Sequence, residues 1–76
     1  MIKYYKRSVG NTLIGIGYED LNCFNATRFE MFEFADYYEQ EEIDFKEFIN
    51  LAKENKSGLI KYDYIIPGVF FKENNN

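Results

Sequence analysis

The sequence predicts a small α+β protein in which two β-hairpins form an antiparallel sheet and two short helices pack on one face of it. Three observations support this prediction. Aromatic and β-branched residues are dense at both ends of the chain, turn residues divide each end in two, and the middle carries helix-capping residues followed by apolar residues at helical spacing. The expected order is β-β-α-α-β-β, with one domain over residues 1–73 and a disordered tail at 74–76.

The first hairpin is expected over residues 2–18. The stretch "IKYYKRSV" at 2–9 has the composition of a half-buried strand, and Gly10-Asn11 is a turn pair. The second strand, "TLIGIGY", alternates between large apolar residues and glycine. Its apolar face consists of Ile14, Ile16 and Tyr18. Gly15 and Gly17 fall on its other face, where glycine often marks a close approach of another part of the chain.

A first helix is expected after residue 27. Thr27 and Glu30 have the spacing of a capping box, in which each side chain accepts a hydrogen bond from an amide of the first turn. Four apolar residues follow at i, i+3, i+4 and i+7, the spacing of one helical face: Met31, Phe34, Ala35 and Tyr38. A strand through "RFEMFEF" is the alternative, and the helix is preferred because acidic and aromatic residues do not alternate cleanly there.

A second helix is expected from residue 44. Asp44 and Glu47 form another capping box. The apolar stripe that follows consists of Phe45, Phe48, Ile49 and Ala52. Lys53 and Lys56 suit the negative end of the helix dipole, and Gly58 is the expected stop.

The second hairpin is expected over residues 59–73. The stretch "LIKYDYII" at 59–66 alternates, and "VFFKE" at 69–73 supplies the partner strand. Between them, Pro67-Gly68 is the pair favoured at the centre of a type II turn, because glycine accepts the positive φ.

Composition narrows the function classes. The chain has no histidine, the usual general base at neutral pH, so we expect a protein that is not an enzyme.

Cys23 is the only cysteine, which rules out an internal disulfide and suits a reducing compartment, so a cytoplasmic location is expected. The N-terminus lacks the apolar stretch of a signal peptide, and no apolar run approaches the roughly 20 residues of a membrane span. No cofactor or metal site is expected.

The charge is concentrated in the middle of the chain. Eight acidic residues and one lysine lie between Phe29 and Glu47, giving this segment a net charge of −7 within a chain of −4. Acidic residues this dense repel one another, which favours a role in binding a cationic partner over mere solubility. We expect the partner-binding residues to be Glu30, Glu33, Asp36, Tyr37, Tyr38, Glu39, Glu41 and Glu42.

The expected partner is a basic protein, in particular one that handles nucleic acid. Carboxylates about 5–6 Å apart along a helix have spacing of the same order as backbone phosphates, so they suit a groove built for nucleic acid. Tyr37 and Tyr38 would supply the desolvated anchors. In being small, acidic, rich in aromatic residues and without catalytic residues, the chain resembles phage-encoded inhibitors of restriction or CRISPR nucleases. That resemblance implies an inhibitor or adaptor; homodimerisation stays open.

Two alternative functions have some support in the sequence. The "KYYKR" at 3–7 and "KYDY" at 61–64 interleave bases with tyrosines, a pattern typical of single-stranded nucleic-acid binding on a sheet face. Residues 36–47 also resemble an EF-hand loop, with Asp36 first and Glu47 last. The resemblance is degenerate, because Tyr38 stands at the third position and Glu41 replaces the glycine of the sharp turn.

Overall fold

The computed structural model describes residues 1–21 and 27–61, which form a four-stranded antiparallel sheet, one helix and one 3-10 turn. The elements are β1 (Ile2–Val9), β2 (Thr12–Asp20), β3 (Thr27–Met31), β4 (Glu39–Ile43), α1 (Phe45–Glu54) and the 3-10 turn Gly58–Lys61. The strand order is β3-β2-β1-β4, so the first hairpin lies at the centre of the sheet. This arrangement is α+β, but only one of the two expected helices is present in the described residues, and the expected β-β-α-α-β-β order is not matched.

The first hairpin confirms the sequence prediction. β1 and β2 pair with Tyr4 opposite Tyr18 and Tyr5 opposite Gly17. Gly10 adopts a φ of +60° in the connecting turn, a left-handed conformation that glycine adopts without steric cost. The register shifts between Arg7 and Ser8, which marks a β-bulge near the hairpin tip.

The first expected helix is wrong, and a strand forms over the first part of the segment that the alternative assigned to a strand. Thr27–Met31 is β3, which pairs with β2 so that Phe29 lies opposite Gly17. A Cβ at Gly17 would overlap the Phe29 ring, so the glycine provides the space that the ring occupies. This packing joins residues of two different strands, and such cross-strand contacts outweigh the local helical spacing of the segment.

The apolar face expected for that helix is divided in the structure. Met31 lies against Gly15 on β2, and the side chain of Phe34 is 90% exposed. Tyr38 lies immediately before β4, which pairs antiparallel with β1 at the opposite edge of the sheet from β3.

The second expected helix is confirmed as α1. Its N-cap is Asp44, whose Oδ1 accepts a hydrogen bond from the Glu47 amide at 2.8 Å. The stop differs from the prediction, because Lys56, with a φ of 52°, takes the left-handed position that was expected of Gly58. The amide of Lys56 donates to the Lys53 carbonyl and that of Ser57 to the Ala52 carbonyl, the pattern of a Schellman cap.

The core lies between α1 and one face of the sheet. It is formed by buried residues from β2, β4, α1 and the 3-10 turn: Ile16, Tyr18, Ile43, Phe48, Ile49, Ala52 and Leu59. Tyr4 on β1 extends this core, with its ring centroid 4.8 Å from that of Phe48. The sheet face that packs on α1 is called the helix side below, and the other the open side.

The second hairpin falls largely outside the described residues. Residues 58–61 form a 3-10 turn instead of the start of the expected strand. Residues 62–66, Pro67-Gly68, "VFFKE", the 74–76 tail and Cys23 all lie outside the described residues. Within the described part of the chain, no helix has the length and apolar character needed to cross a membrane.

Candidate functional site

The carboxylates of the acidic segment do not form one row. With β3 and β4 in place of a helix, alternate side chains point to opposite sides of the sheet. Glu30 lies on the helix side, and Glu42 lies on the open side opposite Tyr5. Glu33 and Asp36 are exposed on the connection between the two strands. The expected helical docking face is therefore absent from the acidic segment, and the acidic residues lie in separate groups.

Glu30 serves the fold. Its Oε1 accepts hydrogen bonds from the Ser57 hydroxyl at 2.6 Å and from the Gly58 amide at 2.9 Å. Ser57 is only 3% exposed, and its Oγ also accepts a bond from the Leu59 amide at 3.1 Å. Because buried polar groups need partners, this carboxylate ties β3 to the segment that follows α1. Glu30 is thus separated from the other predicted docking residues.

Lys6 on β1 neutralises part of the acidic segment. Its Nζ donates to Glu47 Oε2 at 3.0 Å and lies 3.8 Å from Glu41 Oε1. The hydrogen bond to Glu47, and then the charges of Glu47 and Glu41, raise the pKa of Lys6, while partial burial opposes them. The uncompensated negative charge is consequently smaller than the sequence total.

The connection between β3 and β4 is the most exposed aromatic part of the site. Residues 32–38, here called the crossing segment, run from one edge of the sheet to the other at the end where the first hairpin turns. Phe34 is 90% exposed and Tyr37 is 74% exposed, and the carboxylates of Glu33 and Asp36 lie beside them in sequence. Aromatic side chains in water next to carboxylates suit contact with a partner surface.

Both ends of the crossing segment are anchored. Phe32 packs against the core, and its amide donates to the Ile14 carbonyl at 2.6 Å. At the other end, the Tyr38 ring centroid lies 4.5 Å from the guanidinium carbon of Arg7. Of the two predicted tyrosine anchors, Tyr37 is therefore largely exposed, whereas Tyr38, at 39%, is partly engaged within the chain.

β4 presents its acidic residues on both sides of the sheet. Glu39 and Glu41 lie opposite Ser8 and Lys6, on the helix side. Gln40 and Glu42 lie opposite Arg7 and Tyr5, on the open side. All four residues from 39 to 42 are exposed. This strand therefore carries an exposed carboxylate on each side of the sheet at its edge.

The open side of the sheet carries aromatic residues that are engaged with one another. The guanidinium carbon of Arg7 lies 3.7 Å from the centroid of the Phe29 ring, and the same ring packs on Gly17. The ring is thus in contact with groups of the chain itself. A nucleobase would need a free ring face for stacking, so this arrangement does not favour nucleic-acid binding.

The tyrosines of the predicted nucleic-acid surface point to opposite sides. Tyr4 packs on α1, and its burial, followed by the charge of Asp20, raises its pKa. Tyr5 lies on the open side and donates to Glu19 Oε1 at 3.3 Å; desolvation, followed by the charge of Glu19 and this bond, raises its pKa. Tyr62 and Tyr64 of "KYDY" lie outside the described residues. The described tyrosines therefore do not form one stacking surface.

The EF-hand alternative is wrong for this segment. An EF-hand needs a loop between two helices, whereas residues 39–43 are strand β4 and residues 27–31 are strand β3. Across residues 1–21 and 27–61, the structure places no group of three or more acidic, cysteine or histidine side chains where they would hold a metal ion.

Two features of the site are missing from the sequence prediction. The first is the exposure of Phe34, which was assigned to a buried helical face. The second is Arg7, which contacts Phe29 and Tyr38 on the open side. The sequence carried a signal for the packing on the open side, because Gly15 and Gly17 leave space on one face of β2, and Phe29 and Met31 recur with the same two-residue spacing.

Comparison with known proteins adds no assignment: no family model, curated protein or solved structure matches this chain.

Proposed function

We propose that this chain is a protein-binding module that docks its crossing segment and β4 onto a basic surface of another protein. The observation that supports this proposal best is the exposure of Phe34 and Tyr37, each of which is next in sequence to an exposed carboxylate, that of Glu33 or Asp36. Exposed aromatic side chains are disproportionately strong contributors to protein interfaces, because they bury a large area with few rotatable bonds.

The anchored ends of the crossing segment favour binding. The Phe32 amide is bonded to Ile14 at one end, and Tyr38 lies near Arg7 at the other. A loop fixed at both ends has fewer conformations to lose when its partner arrives, so less of the interaction free energy is spent on ordering it. Phe34 and Tyr37 are thereby presented by a short span between two fixed points.

The carboxylates act on recognition and on the rate of encounter. Glu33, Asp36 and Glu39 are exposed, and no hydrogen bond or ion pair to another described side chain is seen for them. A negative patch speeds association with a positive one and rejects acidic proteins, with a strong dependence on ionic strength. Charge therefore selects the partner, and the aromatic residues supply most of the affinity.

The partner class that fits this surface is a basic protein that handles nucleic acid. Such a protein carries a cationic groove, in which Lys and Arg form charge-assisted hydrogen bonds to carboxylates as well as to phosphates. The chain would then act as an inhibitor or adaptor in the cytoplasm, and it would compete with nucleic acid for the groove. Glu30, which belongs to the fold, and Glu47, which is paired with Lys6, are not part of this docking surface.

The proposal is tested by capture from a host lysate with immobilised chain, followed by elution in a salt gradient. A basic protein should be retained by the wild type, lost from Phe34→Ala/Tyr37→Ala, and eluted earlier from Asp36→Lys. Competition with duplex or single-stranded nucleic acid should release it. Leu21→Ala and Glu54→Lys are matched controls, because they alter an exposed apolar residue and an exposed acid elsewhere. Capture that survives both test variants unchanged would refute the proposal.

A further inference from the structure

β4 is an edge strand with an unusual composition. It is last in the strand order of the described sheet, and the partner strand that the structure shows for it is β1. Edge strands offer a row of backbone donors and acceptors to any extended chain. Proteins that must avoid such pairing place charges on the edge, and here residues 39–42 read Glu-Gln-Glu-Glu, with every side chain exposed.

The charges make the edge selective. In an antiparallel pair, side chains directly opposite each other lie about 4.5–5.5 Å apart at Cβ, and like charges there are destabilising. A second copy of β4 would bring carboxylates against carboxylates. A strand carrying Lys or Arg would instead bring a cation against Glu39 and Glu41 on the helix side and against Glu42 on the open side. The same residues thus disfavour self-pairing and favour a basic strand.

A cleft lies beside β4 on the helix side. Its volume is about 550 Å³, and its lining includes Lys6, Ser8, Leu13, Glu39, Glu41 and Leu51. The two leucines offer apolar contact and the two carboxylates offer charge, a combination that suits the long aliphatic stem and cationic head of Lys or Arg. A side chain projecting to the helix side from a strand added to β4 would point toward this cleft.

We propose that β4 binds an extended basic segment of the partner by strand addition, with its Lys or Arg side chains beside Glu39, Glu41 and Glu42. The inference rests on the proposed function and makes it more specific: the partner contributes an extended basic chain to the edge of the sheet. Backbone hydrogen bonds would supply affinity, and the alternating side chains would supply specificity.

The test uses synthetic peptides of alternating Lys and Thr, with binding followed by fluorescence anisotropy and mapped by NMR. Two further peptides carry N-methyl groups on every second amide, one peptide on the odd-numbered amides and the other on the even-numbered amides. In an added strand only one set of amides faces β4, so one methylated peptide should lose affinity by about tenfold or more while the other retains it. Glu39→Gln, on the side of the sheet where the cleft lies, should weaken binding several-fold, whereas Glu54→Gln on α1 should not.

The outcomes separate this inference from the proposed function. Equal binding of all three peptides, or chemical-shift changes away from residues 39–43, would overturn strand addition but leave charge-driven docking intact. Failure of every peptide to bind would also overturn strand addition, while capture of a basic protein through Phe34 and Tyr37 would still support the proposed function. Wild-type dimers joined through β4, detected by sedimentation and NMR, would show that the occupant is a second copy and would refute the inference.

Discussion

The guanidinium carbon of Arg7 lies 3.7 Å from the centroid of the Phe29 ring and 4.5 Å from that of the Tyr38 ring. One side chain of β1 therefore contacts β3 on one side and the residue preceding β4 on the other. Its Nε also donates to Gln40 Oε1 at 2.9 Å. Because β3 and β4 are the outer strands of the described sheet, Arg7 connects both edges and fixes the end of the crossing segment.

Replacing Arg7 with lysine should reduce the free energy of unfolding by about 1–2 kcal/mol. Lysine keeps the positive charge but lacks the planar guanidinium group that contacts the rings and donates to Gln40. Urea denaturation followed by circular dichroism measures the effect. The reverse exchange, Lys46→Arg at an exposed position of α1, is the control and should leave stability unchanged. Equal stability of Arg7→Lys and wild type would show that the ring contacts contribute nothing.

Gly17→Ala should destabilise the protein by about 1–3 kcal/mol, because the new methyl group overlaps the Phe29 ring and forces the two strands to shift. Gly58→Ala is the matched control, since no atom lies within 4 Å of the added methyl group there. In a Phe29→Ala background, most of the cost of Gly17→Ala should disappear. A cost that persists in that background would place its origin in the backbone of β2 instead of the ring.

Glu30→Ala should lower the free energy of unfolding by about 1–3 kcal/mol, because the buried Ser57 hydroxyl and the Gly58 amide lose their acceptor. Glu33→Ala, on the exposed crossing segment, should have little effect in the same thermal or urea denaturation. Glu30→Gln retains an acceptor oxygen while removing the charge, so it should recover part of the stability. Equal stability of Glu30→Ala and Glu33→Ala would show that the hydrogen bonds between Glu30 and the segment after α1 do not contribute to the free energy of unfolding.

Stability should fall as the pH rises above about 10. The hydrogen bond to Glu47 raises the pKa of Lys6 above its ordinary 10.5, and burial raises the pKa values of Tyr4 and Tyr5 above 10.0. A raised pKa means that the folded state holds the proton more tightly. The stabilisation is therefore complete below the unfolded-state pKa and is lost as the pH rises through the folded-state value.

Urea denaturation over about pH 8 to 12 tests this alkaline dependence. Lys6→Met and Tyr5→Phe should each flatten the decline, since each removes one titrating group. Lys46→Met is the control, because Lys46 is exposed at the start of α1. An alkaline decline that is identical in all four proteins would indicate that other groups are responsible.

Some of the structure followed directly from local sequence. The hairpin of β1 and β2 was predicted because alternating composition and a glycine turn act within a few residues of each other. The start of α1 was predicted for the same reason, since Asp44 and Glu47 interact within one turn. The prediction from local sequence was wrong at the end of the helix, where Lys56 takes the left-handed position although Gly58 is two residues away.

Residues 27–38 show where local pattern is insufficient. Thr27 and Glu30 have capping spacing, and the apolar residues have helical spacing, yet residues 27–31 form β3. The deciding contacts are non-local: Phe29 covers Gly17, and Glu30 bonds to Ser57 and Gly58. Neither partner is recognisable from the segment itself, so its secondary structure depends on the sheet that it joins.

The sequence by itself determined the central hairpin, the N-terminal cap of α1 and the concentration of negative charge in the middle of the chain, because each depends on residues close together along it. Only the tertiary structure decided where that charge lies. Strand pairing sends Glu30 inward and brings Lys6 to Glu47, while Glu39, Glu41 and Glu42 remain exposed on an edge strand. The physical reason is that alternation along β-strands and pairing between distant residues set the direction of each carboxylate, and neither is encoded by the acidic segment alone.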